Sequence, residues 1–95
     1  VPAASFALHG CYPNPFNPTT TVRFSLAQPS DVQLDIYNVR GQHVATLVDE
    51  HMQAGEHELV WDGQDDNNRA SASGIYLLRL DAGGRTATSK ALLLK

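Results

Sequence analysis

The stretch Ile75-Tyr76-Leu77-Leu78-Arg79-Leu80 is apolar at every position but Arg79, and it limits the fold more than any other segment. A short run that is apolar on both faces reads as a strand lying inside a sheet. Gly83-Gly84 follows, a pair that turns a hairpin tightly because glycine takes positive φ without steric cost. The segment ending Lys90-Ala91-Leu92-Leu93-Leu94-Lys95 then runs back beside the first strand. Everything upstream must cover this hairpin, with Tyr76, Leu78 and Leu80 expected in the core.

The upstream chain has the pattern to do so. Val22, Phe24 and Leu26 alternate with Arg23 and Ser25, and Val32, Leu34 and Ile36 repeat the alternation, each the mark of a half-buried antiparallel strand. Asn38-Val39-Arg40-Gly41 supplies turn chemistry, with Gly41 suited to a left-handed position. Residues 42–50 fit a strand or one helical turn through Val44, Ala45, Leu47 and Val48, and are read as a strand from their neighbours. Glu56 to Trp61 is another strand, with Leu59 and Trp61 toward the core and His57 toward solvent. Ser5 to His9 is a short first strand, with Phe6 and Leu8 on one face. About seven short strands with turn signals between them predict an all-β, immunoglobulin-like antiparallel β-sandwich. Tyr76, following a Ser-Gly turn, suits a tyrosine corner.

Between the first two strands stands Tyr12-Pro13-Asn14-Pro15-Phe16-Asn17-Pro18. The prolines fix φ and push their predecessors toward extended geometry, so this is a stiff connector without ladder bonds at the prolines. Tyr12 and Phe16 are expected to anchor it on the domain. Its spacing lacks the P-x-x-P pattern with basic flanks of a proline-rich ligand.

At 95 residues the chain is read as one domain over 1–95, with 1–18 a proline-rich lead-in and first strand. A net charge of −3 argues against nucleic acid, which requires a basic face. No apolar run approaches the ~20 residues of a membrane helix. Val1-Pro2-Ala3-Ala4 lacks the basic start and apolar stretch of a signal peptide. A single cysteine, Cys11, excludes an internal disulfide and is open to three readings: a small buried hydrophobe, an exposed thiol or an intermolecular bridge.

Candidate chemistry is sparse. Asp62, Asp65 and Asp66, with Asn67 and Asn68, are a weak calcium candidate. Counted from Asp62, however, Asn67 stands where an EF-hand needs glycine and Ser73 where it needs glutamate, so a solvated turn is the plainer reading. His9, His43, His51 and His57 share no zinc spacing. There is no G-x-S-x-G, and Cys11 has no local activating signature. The expectation is a non-enzyme without cofactor. A sugar-binding face would need a platform of exposed aromatics, and only Tyr37 is free of a predicted core role on its strand.

Taken together, Phe6-Ala7-Leu8, Tyr12 to Thr20, Ile36-Tyr37-Asn38, Gly41-Gln42, Ala54-Gly55, Trp61-Asp62-Gly63, Ala72 to Tyr76 and Lys90 to Lys95 resemble the C-terminal sorting domain of type IX secretion cargo. The pattern is also similar to the immunoglobulin-like domain of flagellar hook-capping proteins. The resemblance spans nearly the whole chain. It implies an immunoglobulin-like sandwich placed last in a large secreted protein of a Gram-negative bacterium. Such a domain directs N-terminal cargo domains from the periplasm through outer-membrane secretion machinery, and a surface peptidase then removes it. The resemblance implies cargo that ends up secreted or on the cell surface, in some cases joined to lipopolysaccharide. The resemblance assigns the sorting signal to Gly74, Tyr76, Lys90, Leu92, Leu94 and Lys95, and a structural motif to Tyr12, Pro13, Asn14, Pro15 and Phe16. Gly10-Cys11 departs from the family's common Gln-Asn, and Asn67-Asn68 from a common glycine. Two alternatives stand beside sorting: a structural immunoglobulin-like interaction module of the hook-capping type, and a carbohydrate-binding accessory module of a secreted hydrolase.

Overall fold

A computed structural model describes residues 6–94. The strands are β1 (Ala7–Tyr12), β2 (Thr20–Leu26), β3 (Ser30–Asn38), β4 (His43–Met52), β5 (Gly55–Trp61), β6 (Gly74–Ala82) and β7 (Arg85–Leu93). They form a three-stranded sheet, β1-β2-β5, stacked on a four-stranded sheet, β4-β3-β6-β7, and every strand pair is antiparallel. No helix occurs among the described residues. The expected seven-stranded sandwich is therefore the fold.

The C-terminal hairpin is where the pattern put it. β6 lies between β3 and β7, and Gly83 and Gly84 both take positive φ (55° and 83°) in the tight turn. Only one of its faces is covered, however. Tyr76, Leu78 and Leu80 point into the core, whereas Ile75 is 47% exposed on the outer face. β7 is the edge strand of its sheet.

Ten of the predicted core residues are fully buried: Val22, Phe24, Leu26, Val32, Leu34, Ile36, Trp61, Tyr76, Leu78 and Leu80. Leu59 is only partly buried, because β5 ends its sheet and has a neighbour on one side alone. Phe16, Ala45, Val48, Ala82, Ala91 and Leu93 complete the core. Ser25, expected on the open face, is buried at 2% exposure. His57, expected toward solvent, is half-buried and stacks on Phe24 with centroids 5.3 Å apart, since both belong to the inward set of the β2–β5 register.

Bulges account for two departures from the sequence reading. The first strand runs Ala7–Tyr12 rather than over residues 5–9, and Ser5 lies outside the described residues. A register shift between Leu8 and Gly10, where Gly10 takes φ 96°, inserts one residue. Phe6 and Leu8 pack inward before the shift and Cys11 packs inward after it. Tyr12 is thereby turned out to 80% exposure and anchors nothing. In β4, register shifts between Leu34 and Asp35 and between Ile36 and Tyr37 leave Leu47 and Val44 as extra residues. Two bulges in a strand bring apolar residues to spacings of one and three, which is why 44–48 looked as helical as extended.

Candidate functional site

The proline block lies along the edge of β7. The Asn14 carboxamide occupies two of that edge's backbone groups: its Nδ2 donates to the Lys90 carbonyl (3.1 Å), and its Oδ1 accepts from Leu92 N–H (2.9 Å). Phe16 takes the next two with its own backbone. Its N–H donates to the Leu92 carbonyl (2.9 Å) and its carbonyl accepts from Leu94 N–H (3.0 Å), a parallel bridge opposite Leu93. A side-chain amide thus stands in for a peptide group where Pro15 can offer no N–H. Together the four bonds cap the exposed edge from Lys90 to Leu94.

An aromatic stack fixes this cap to the body. The Phe16 ring, 2% exposed, lies 5.3 Å from Trp61, and Trp61 lies 5.2 Å from Tyr76 in an edge arrangement. Each polar tip is satisfied: Trp61 Nε1 donates to the Gln64 carbonyl (2.9 Å) and Tyr76 Oη to the Ala72 carbonyl (2.6 Å). The latter is the tyrosine corner expected from sequence. Thr20, buried at 1% exposure, donates its hydroxyl to the Pro13 carbonyl (2.7 Å). Gly63 passes so close that a Cβ there would sit 2.9 Å from the Pro18 carbonyl oxygen.

The proline block and the terminal strand, distant in sequence, are therefore one assembly. Lys90 is exposed opposite Leu77, with no ion pair among the described residues. Leu92 is half-buried opposite Ile75, and Leu94 is 48% exposed. Gly74 opens β6 opposite Leu93 with φ 153°. Tyr76 belongs to the interior, so the residues that the resemblance assigns to a sorting signal do not share one face; Lys95 lies outside the described residues. Cys11 is a free, half-buried thiol whose Sγ is 3.9 Å from the Lys90 carbonyl oxygen. Burial pushes its pKa up, so the thiol stays protonated at neutral pH and is a poor nucleophile.

The acidic loop is occupied with its own chain. Asp65 Oδ1 accepts from the N–H groups of Asn67 (2.9 Å) and Arg69 (3.0 Å), and Asp62 Oδ1 from Gln64 N–H (3.1 Å). Asp66 reaches out instead: its N–H donates to the Val44 carbonyl (3.1 Å) and its Oδ1 accepts from Thr46 N–H (3.0 Å). It caps the β4 edge much as Asn14 caps β7. Among the described residues, no group of three His, Cys, Asp or Glu side chains is placed to hold a metal ion.

The sequence reading missed one polar network. Asp35, 3% exposed on the outer face of β3, accepts from Thr46 Oγ1 (2.7 Å) and Gln33 Nε2 (2.9 Å). His43 Nε2 lies 3.2 Å from Asp35 Oδ1 and 3.0 Å from Thr46 Oγ1. The Thr46 hydroxyl donates to the carboxylate, and the imidazole nitrogen lies within reach of both oxygens. Its only sequence signal was an aspartate on a strand whose inward residues are all apolar.

The family model for the FlgD Ig-like domain matches residues 14–85. The chain belongs to this FlgD Ig-like family. The match begins at the capping asparagine and ends at the first residue of β7. No curated protein matches the chain. Among solved structures, it is similar to dimeric latent PorU from Porphyromonas gingivalis, with a TM-score of 0.73 and 20% identity over 94% of this chain and 9% of that one. It is also similar to PorZ of the same organism, a surface component of its type-IX secretion system, with a TM-score of 0.65 and 15% identity over 94% of this chain and 12% of that one. The chain thus spans about a tenth of each protein's length, and at these identities the likeness is one of fold. No helix of the described residues is long and apolar enough to cross a membrane.

Proposed function

We propose that this domain is a C-terminal sorting module that takes a larger protein across the outer membrane to the cell surface by type IX secretion. One observation carries the reading: the proline block and the terminal strand are joined by four hydrogen bonds. The two blocks that resemble the sorting family are thus parts of one surface. Similarity of fold to domains of PorU and PorZ supports it. The module acts without catalysis, through its surface. Its partners are the outer-membrane secretion machinery and its surface peptidase, with N-terminal cargo domains carried ahead of it.

The test is a passenger fused ahead of the domain in a bacterium with a type IX system. The intact fusion is expected on the surface or in the medium. Deletion of residues 90–95 is expected to leave it in the periplasm. Normal surface levels of the truncated fusion would overturn the reading. A second reading, an immunoglobulin-like interaction module of the hook-capping kind, is favoured by the family match, which covers residues 14–85 and leaves out nearly all of β7. Under that reading the domain would hold its partners without residues 90–95.

A further inference from the structure

We infer that the β7 edge from Lys90 to Leu94 is an acceptor site for an extended peptide strand carrying an aromatic residue, and that residues 14–16 occupy it as an exchangeable internal ligand. Four groups define the site: the carbonyls of Lys90 and Leu92 and the N–H groups of Leu92 and Leu94. Their occupant lies parallel to β7 and drops one aromatic ring beside Trp61. This is strand addition to a sheet edge, in which main-chain bonds supply affinity and a side-chain pocket supplies selectivity.

The internal ligand is built unevenly. Phe16 is buried, but Asn14 and both flanking prolines are exposed, and both bonds of the Asn14 amide lie at the surface. An incoming strand can therefore displace Asn14 first, by offering ordinary peptide groups to Lys90 and Leu92. The ring exchange at Trp61 follows. Being tethered, residues 14–16 compete at an effective concentration of about millimolar, so the site stays closed to weak peptides. Under the sorting reading, on which the partner's identity rests, that strand belongs to the export machinery. The acceptor site itself does not depend on that reading.

The test uses the whole chain and a synthetic peptide with the sequence of residues 12–18, and no secretion assay. In Asn14→Ala, amide hydrogen exchange at Leu92 is expected to rise about tenfold, the scale of losing one exposed backbone bond. The Ala91 and Leu93 amides, which face β6, should keep their protection. In Phe16→Ala the vacated ring site is expected to take up the peptide's phenylalanine. The thermal midpoint should rise by several degrees at ~1 mM peptide, while the unaltered chain shows no shift. Should Phe16→Ala fail to fold, peptide titration of Asn14→Ala, read by protection returning at Leu92, decides the matter. Folded variants that ignore the peptide would overturn the site. Equal binding by the unaltered chain would overturn the claim that residues 14–16 hold it shut. Loss of sorting with intact peptide exchange, or the reverse, would separate this inference from the function proposed above.

Discussion

Both edges of the four-stranded sheet are capped, and by different means. At β7 a neutral carboxamide and a backbone segment make four bonds, backed by a ring buried against Trp61. At β4 the single residue Asp66 makes two bonds, one through a carboxylate, with His43 Nδ1 3.8 Å from its other oxygen. The first cap is held by apolar burial and keeps no charge. The second is held by hydrogen bonds at a half-exposed, ionisable group. Capping an edge against other strands is thus one problem with two solutions. The cap with four bonds covers the strand that carries the proposed label.

The comparison breaks first at Phe16. Truncation to alanine removes a fully buried ring and should cost about 3–5 kcal/mol in urea unfolding; a loss near 1 kcal/mol would mean that the ring does not anchor the cap. Gly63→Ala comes next. It forces a Cβ against the Pro18 carbonyl at a φ of 76°, and should cost about 1–3 kcal/mol. Because Gly63 leads into the loop that bears Asp66, amide protection should fall at both edges at once. A direct contest of the two caps pairs Asn14→Ala with Asp66→Ala. We expect losses of about 1–2 kcal/mol and about 0.5–1 kcal/mol respectively, from two exposed bonds against one side-chain bond. The reverse order would show that the β4 cap is the stronger.

The smallest effect concerns Cys11, beneath the β7 cap. Its folded pKa is raised, so its contribution to stability is fully present below the unfolded thiol value of about 8.5 and fades as pH rises through the folded value. Stability of the chain relative to Cys11→Ser should decline above about pH 8.5, and alkylation at neutral pH should be slower than for a model thiol. Fast alkylation would place the thiol outside the cap.

Much of the architecture was legible because burial in a strand has a local rhythm. The alternation in Val22 to Leu26 and Val32 to Ile36 marked β2 and β3 with their inward residues, and Gly83-Gly84 marked the last hairpin. Where the rhythm failed, a bulge had intervened. The extra residue at Gly10 reversed Tyr12, and two extra residues in β4 mimicked a helical spacing. The candidate site was legible only as two separate motifs. Nothing in Pro13-Asn14-Pro15 states that its amide will meet a strand 78 residues away, and nothing in the aspartate run singles out Asp66 for Thr46, 20 residues back.

The order of apolar and polar residues alone determined a seven-stranded sandwich and ten of the sixteen residues of its core, because which face a strand residue takes depends on its immediate neighbours. Only the tertiary structure decided which irregular segment closes which edge. Backbone N–H and carbonyl groups are the same at every residue, so their partners are chosen by proximity after the sheets have packed.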